Sequence, residues 1–227
     1  MLFGCASTRE PWTASTAVRW QERVNRGWRA RSDRKASTVS LDLDLDLDPD
    51  GWRLRTLIVA DAPALAEATG AEIGPALWGP RPVGPYTLAQ ARTALEFWDL
   101  TRHRQTSYGV FDDDRLMAAV GLMLDDEGGA ELAYWVRPQD RRRGVAARAL
   151  AAVTARVRRR PELGRLWLEI NPDNLASQGV AVRAGYRLTG RLPNHCRSWL
   201  SDDRAADRWH DCLIWVYPDV AGQPRRS

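Results

Sequence analysis

Residues 134–146, reading YWVRPQDRRRGVA, join a strand-like apolar stretch to a helix-like one through three consecutive arginines and a glycine. The chemistry that suits this arrangement is anion binding. Backbone N–H groups in the first turn of a helix lack internal partners, and the helix dipole adds positive potential there, so a pyrophosphate fits such a start. Gly144 lets a phosphate approach the backbone closely, the small Ala146 keeps the next turn clear, and Arg141, Arg142 and Arg143 can add side-chain contacts. Three arginines opening a solvated helix would read the same way, so this run by itself leaves both readings open.

The residues downstream narrow the choice. About thirty residues later comes the stretch 168–177, LEINPDNLAS, and then Ala184-Gly185-Tyr186. Arg141, Gly144 and Ala146 match the R-x-x-G-x-A form of the acetyl-CoA signature of GNAT acetyltransferases. Asn174 and Ser177 match the same family's N-x-x-S helix start, and residues 184–186 its closing small-Gly-aromatic turn. With the elements in order and at family spacing, residues 51–218 resemble a GNAT domain. The branch that acetylates N-terminal amines of ribosomal proteins is the closest resemblance, carried by Trp52-Arg53-Leu54-Arg55, the proline-rich segment before Tyr86 and the stretch 131–136.

The resemblance implies an α/β (α+β) fold with a mixed, mostly antiparallel central sheet that splays between its fourth and fifth strands, and helices on both faces. Pantetheine would lie in the splay and pair its amides with exposed strand backbone, as a peptide augments a sheet edge. The co-substrate is then acetyl-CoA, held by Trp135, Val136, Arg141, Arg142, Arg143, Gly144, Val145, Ala146 and Asn174. A strand N–H at Trp135 or Val136 would stabilise the oxyanion. The attacking amine must be neutral, and Glu131 matches the position of the base proposed in the ribosomal-protein branch. An ordinary strand glutamate remains the plainer reading. The tyrosine that many GNAT enzymes use to protonate the leaving thiolate falls here on Ala181. Ser177, one helical turn earlier on the same face, is the nearest substitute, although it can equally satisfy a backbone carbonyl. The acceptor implied is a protein N-terminal amine, with a small amine or antibiotic as the alternative. A non-catalytic acyl-CoA sensor is the rival of another class.

The elements that must position these residues can be read from pattern. Residues 52–59 read as a strand and 61–69 as a helix capped by Asp61 with an early proline. The Gly/Pro-dense stretch 70–85 breaks regular structure, and Thr87 caps a helix to about residue 104. Residues 107–111, 115–124 and 130–136 read as an antiparallel meander. A helix over 142–159, a strand over 165–170, a helix over 174–184 and strands over 186–190 and 212–217 complete the domain. The segment 191–210 is expected to be a loop walling the acceptor side.

Composition bounds the rest. The 227 residues, 44% hydrophobic, are enough for one domain with a core plus an extension. Of the formal charge of +4, residues 1–40 carry a local +5 and leave the remainder near −1. Placing the positive charge on a loose end argues against nucleic-acid binding, which needs a basic face on the folded domain. No run approaches the roughly 18 apolar residues of a membrane helix. Residues 41–48 alternate Leu and Asp; since like charges on one strand face repel, residues 1–48 are expected to be a disordered low-complexity extension. The domain is expected over 49–218, with a tail at 219–227. The spacing of Cys5, Cys196 and Cys212 argues against a disulfide framework and suits a reducing cytoplasm. His103, His195 and His210 lack a ligand spacing, so no metal is expected.

Overall fold

The computed structural model describes residues 41–47, 49–70, 85–160, 162–198, 205 and 208–218, all within the unit that runs from Arg34 to Ser227. Its strands are β1 (Asp44–Leu47), β2 (Trp52–Thr56), β3 (Gln105–Asp112), β4 (Arg115–Leu124), β5 (Ala130–Val136), β6 (Leu166–Ile170), β7 (Arg187–Ser198) and β8 (Arg208–Val216). The helices among the described residues are α1 (Ala62–Thr69), α2 (Leu88–Phe97), α3 (Leu100–His103), α4 (Val145–Arg158) and α5 (Leu175–Arg183). None is long and apolar enough to cross a membrane.

One sheet takes all eight strands in the order β1-β2-β3-β4-β5-β6-β8-β7. Every neighbouring pair is antiparallel except β5 and β6, which α4 connects in parallel. Strand alternation sorts side chains onto two faces, and each face is covered by helices. On one face Leu54, Tyr108, Val120, Leu132, Leu166 and Leu168 pack with Leu150, Val153 and Val157 of α4 and Ala181 of α5. On the other, Phe111, Leu116, Ala119 and Trp135 pack with Leu65 of α1 and Ala91 and Leu95 of α2. The mixed sheet with helices on both faces is the architecture expected from sequence.

Local chemistry sets the element ends. The Thr87 hydroxyl accepts the Gln90 N–H at 3.2 Å while the Gln90 side chain accepts the Thr87 N–H at 2.9 Å, a reciprocal cap that starts α2. The helix expected to reach residue 104 ends instead at Phe97. Asp99 then caps α3 by accepting the Thr101 and Arg102 N–H groups at 2.8 and 3.0 Å, and Arg104 closes it with φ of 58°. Of the segment 191–210, expected as a loop, residues 191–198 belong to β7 and residues 208–210 to β8. Of the segment 70–85, residues 71–84 lie outside the described residues. Tyr86 beyond it is buried, and its N–H donates to the Thr69 hydroxyl at 3.1 Å.

The sheet also begins earlier than expected. Residues 44–47 form an edge strand, so the splay lies between the fifth and sixth strands rather than the fourth and fifth. The charge repulsion that counted against a strand here is relieved by its neighbour. Asp44 and Asp46 stand opposite Arg55 and Arg53 in register, and the Arg53 guanidinium holds the Asp44 carboxylate with two bonds of 2.6 and 2.7 Å. On the other face Leu41, Leu43 and Leu47 are buried in the α4 side of the core, and the Leu41 carbonyl accepts the Tyr108 hydroxyl at 3.0 Å. The domain therefore starts at or before Leu41, and the boundary at residue 49 cuts through it.

Leu47→Ala is accordingly expected to lower unfolding free energy by about 2–4 kcal/mol through lost burial and a residual cavity. Asp46→Ala, on the exposed face of the same strand, should stay within about 0.5 kcal/mol. Urea denaturation of the two variants measures both; equal losses would remove β1 from the cooperative core.

Candidate active site

Past β5 the chain turns through a short 3-10 segment, Pro138–Asp140, before α4 begins. Asp140 shapes this loop from inside. Its carboxylate side chain, only 2% exposed, accepts the Arg115 guanidinium at 2.7 and 3.0 Å and the Arg143 guanidinium at 2.9 Å. Arg143 also lies over the Trp52 ring at 5.1 Å, so its charge is committed to holding the loop. Arg141 folds back, donating from Nε to the Val136 carbonyl at 3.2 Å, while Arg142 is exposed with φ of 62°.

Gly144 is the residue before α4, with φ of 82° and no side-chain cap. A Cβ there would approach only the Arg148 Nε, at 4.0 Å. Glycine is thus required by the left-handed backbone rather than by crowding. The first α4 bond runs from the Arg148 N–H to the Gly144 carbonyl at 3.1 Å, which leaves the N–H groups of the first turn without helical acceptors. Val145 and Ala146 bury their side chains in the core, and only their backbone can meet a ligand. The sequence motif and the uncapped helix start coincide.

The strands on either side of α4 hardly pair. β5 and β6 share only Ala130↔Leu166 and Glu131↔Trp167 before diverging, whereas β5 remains paired with β4 along its whole length. The direction of each β5 amide follows from alternation. Ala130 N–H donates toward β6, to the Arg165 carbonyl at 2.8 Å, and Arg137 N–H donates toward β4, to the Met117 carbonyl at 2.8 Å. Even-numbered residues therefore turn their backbone toward the gap. Tyr134 and Val136 present N–H groups to it, while the Trp135 N–H is turned to β4 and its side chain is buried on the α1/α2 face. Of the two expected strand donors, Val136 faces the opening and Trp135 does not.

Glu131 lies at the apex of the gap, in the last paired position. It is half-buried and, among the described residues, has no hydrogen-bond partner. Burial, with a smaller contribution from the nearby Glu169 carboxylate, holds its pKa well above the ordinary carboxylate range. Glu169 is two residues beyond Trp167 on β6 and shares this face of the sheet. Its carboxylate meets His195 at 3.3 Å and Cys196 at 3.5 Å. Cys196 and Cys212 are joined in a disulfide with Cα atoms 5.5 Å apart, which corrects the expectation drawn from their spacing. Sequence separation hides the pairing because β7 and β8 are antiparallel and fold the two residues onto neighbouring strands.

Across the gap, Asn174 caps α5 by accepting the Ser177 N–H at 3.0 Å. The Ser177 hydroxyl is half-buried and makes no hydrogen bond among the described residues. Ala181 is fully buried. Sequence reasoning missed Tyr134, whose hydroxyl donates to the Ser177 carbonyl at 3.0 Å and so ties β5 to α5. Burial pushes its pKa up to about 12, and it stays a neutral donor. The available signal was alternation: three residues from Glu131, Tyr134 must point to the opposite face. In the segment 191–210, expected to wall the acceptor side, residues 199–204 and 206–207, with Asp202, Asp203 and Asp207 among them, lie outside the described residues.

A family model described as the acetyltransferase (GNAT) domain matches residues 52–187. The chain belongs to this family. A search of curated protein sequences finds no match. Among solved structures the chain is similar to RimL, a ribosomal L7/L12 alpha-N-protein acetyltransferase in complex with coenzyme A, at 19% identity and a TM-score of 0.60 over 73% of this chain and 92% of that one. It is also similar to ribosomal-protein-S5-alanine acetyltransferase from Vibrio fischeri (14% identity, TM-score 0.66, 81% and 100% coverage). Mycobacterium smegmatis RimJ in complex with CoA-disulfide aligns with 18% identity and a TM-score of 0.60 over 73% and 80%. At these identities the likeness establishes a shared GNAT fold.

Because Asp140 is the buried acceptor that fixes the loop before α4, Asp140→Ala should leave the Arg115 and Arg143 guanidinium groups without their shared partner. A loss of about 1–3 kcal/mol in unfolding free energy is expected. Chemical denaturation checks it, and a stability equal to wild type would mean that the loop is held by other contacts.

Proposed function

We propose that this GNAT domain moves the acetyl group of acetyl-CoA directly onto a primary amine, and that the amine is a protein N-terminus. The observation that carries the reading is the two-residue pairing of β5 with β6. It leaves strand amides of the Tyr134 and Val136 type facing an opening that leads to the uncapped start of α4.

These residues suit the parts of acetyl-CoA in turn. The N–H groups at 144–146, with Arg141 and Arg142, bind pyrophosphate at the positive end of α4, and Arg143 contributes by keeping the loop in shape. Backbone groups of β5 pair with pantetheine amides as a neighbouring strand would. The Val136 N–H then donates to the thioester oxygen as charge develops on it. Glu131, on the α1/α2 face, takes the proton of the acceptor ammonium, directly or through water. The amine nitrogen attacks the carbonyl carbon, the carbon–sulfur bond breaks with the sulfur leaving as thiolate, and the new amide nitrogen gives its second proton to water. Ser177 sits on the opposite side of β5, the side Tyr134 marks, where its hydroxyl can give the thiolate a proton while taking one from water. Asn174 orders the helix start that carries it. The likeness to acetyltransferases named for ribosomal proteins supports a protein N-terminal amine over a small amine.

A screen of N-terminal peptides, polyamines and aminoglycosides, read by free thiol release, tests the acceptor class. Peptides should be turned over. Turnover of polyamines or aminoglycosides alone would replace the acceptor, and bound CoA with no thiol release from any amine would make the chain a sensor.

Glu131→Gln separates activity from stability. The folded-state pKa of Glu131 lies above its unfolded value, so folding takes up a proton and this group's effect on stability worsens as pH rises through that interval. At neutral pH the glutamine variant should melt at a higher temperature than wild type, and the gain should vanish in acid, where both states are protonated. The same variant should lose on the order of 100-fold or more in kcat, and its kcat/KM profile should lack the rise with pH that ionisation of Glu131 produces. A variant with full kcat and an unchanged profile would remove Glu131 as base.

A further inference from the structure

The face of the sheet that carries Glu131 also gathers four metal-ligating side chains from three strands. Glu169 of β6 turns Oε2 toward both cysteine sulfurs, at 3.5 Å from Cys196 and 3.9 Å from Cys212, and Oε1 toward His195 Nε2 at 3.3 Å. The ligand atoms of Glu169, Cys196 and Cys212 all lie within 4.8 Å of one another. Strict alternation would send His195 and Cys196 to opposite faces. The irregularity between Leu192 and Cys196, with Asn194 at φ of 47°, brings both onto the Glu169 carboxylate. Cys212 is fully buried, and the Glu169 and His195 side chains are only 14% and 9% exposed.

We propose that reduction of the Cys196–Cys212 disulfide opens a binding site for one Zn2+ ion, with Cys196, Cys212 and Glu169 as ligands and His195 holding Glu169 in place. A dithiol supplies the reducing equivalents. It gives two electrons and two protons, the S–S bond breaks, two cysteine thiols form, and the dithiol becomes a disulfide. Zn2+ then binds both sulfurs and Glu169 Oε2, the two thiol protons pass to solvent, and water takes the fourth position. Two thiolates with a hard carboxylate oxygen suit tetrahedral Zn2+ rather than Mg2+ or Ca2+. A tetrahedral site needs its sulfurs about 3.7 Å apart, which cysteines with Cα atoms 5.5 Å apart can reach. The physical drive is charge: thiolates forming beside Glu169 in a largely buried site repel one another and the carboxylate, and a divalent cation removes that repulsion. His195 contacts the carboxylate oxygen that faces away from the sulfurs, the place from which an outer partner orients a ligand. The absence of any histidine ligand spacing in the sequence concealed this site, because its members come from β6, β7 and β8.

The proposal is independent of acetyl transfer and is tested by metal binding alone. The full chain carrying Cys5→Ser is reduced with a phosphine, freed of reductant and metal, and titrated with Zn2+ against a chromogenic chelator and with Co2+, whose thiolate charge-transfer bands report cysteine ligation. One Zn2+ per reduced chain and none per oxidised chain are expected. Cys196→Ser and Cys212→Ser should each abolish tight binding. His195→Ala should weaken Zn2+ by about 10 to 100-fold while keeping the Co2+ charge-transfer bands. In the chain without cysteine substitutions at 196 and 212, Zn2+ should slow alkylation of both thiols, a readout that holds even where a serine variant fails to fold. Failure of the reduced chain to take up Zn2+, equal uptake by the oxidised chain, or alkylation unaffected by Zn2+ would overturn the site.

Discussion

The structure turns on the backbone hydrogen bonding of β5. A strand inside a sheet satisfies its amides on both sides, and leaving one side unpaired has a cost unless water or a ligand takes the vacant positions. Here β5 is paired along its length with β4 but meets β6 at only two positions. The divergence stems from the parallel connection. β3, β4 and β5 follow one another through short turns that keep them in register, whereas β5 and β6 are separated by the whole of α4, whose packing can hold them apart at one end. The α4 residues Val145, Ala149, Leu150 and Val153 join the core on the face where the helix packs against β4 and β5. The result is an opening with strand backbone on one wall and a helix start at its mouth.

Two carboxylates govern the electrostatics around that opening, and they are handled in opposite ways. Asp140 is buried but shared by two guanidinium groups, and it acts as a structural anchor for the loop. Among the described residues Glu131 has no such cation, and it lies near Glu169, so burial and like charge both favour its protonated form. A group held in a state that costs stability at neutral pH belongs with functional sites more often than with scaffolds. Tyr134 completes the arrangement from the opposite face by fastening α5 to β5 through the Ser177 carbonyl.

The far edges of the sheet show how neighbours change what a segment can do. The Leu/Asp alternation of residues 41–48 describes a strand whose polar face repels itself, and in isolation that counts against order. Arg53 and Arg55 of β2 supply the missing charge, and the leucines on the other face join the core. At the opposite edge, residues that pattern assigned to a loop extend β7 and β8, whose irregular register brings His195 and Cys196 onto Glu169.

The chain's local signals were legible from the residues alone: the glycine-led start of α4, the Asn174 cap, the meander of β3 to β5, and Glu131 on a strand beside them. Each depends on neighbours within one turn or on strict alternation, so a linear reading captures it. Three features were decided only by tertiary structure. Which β5 amide faces the gap depends on which neighbour each one bonds. Arg143 looks like a phosphate ligand until Asp140, itself pinned by Arg115 from β4, claims it. The meeting of Glu169, His195, Cys196 and Cys212 needs three strands and a bulge, and no spacing in the chain encodes it. Local propensity is written in consecutive residues, whereas pairing, burial and charge compensation belong to residues that become neighbours only when the sheet closes.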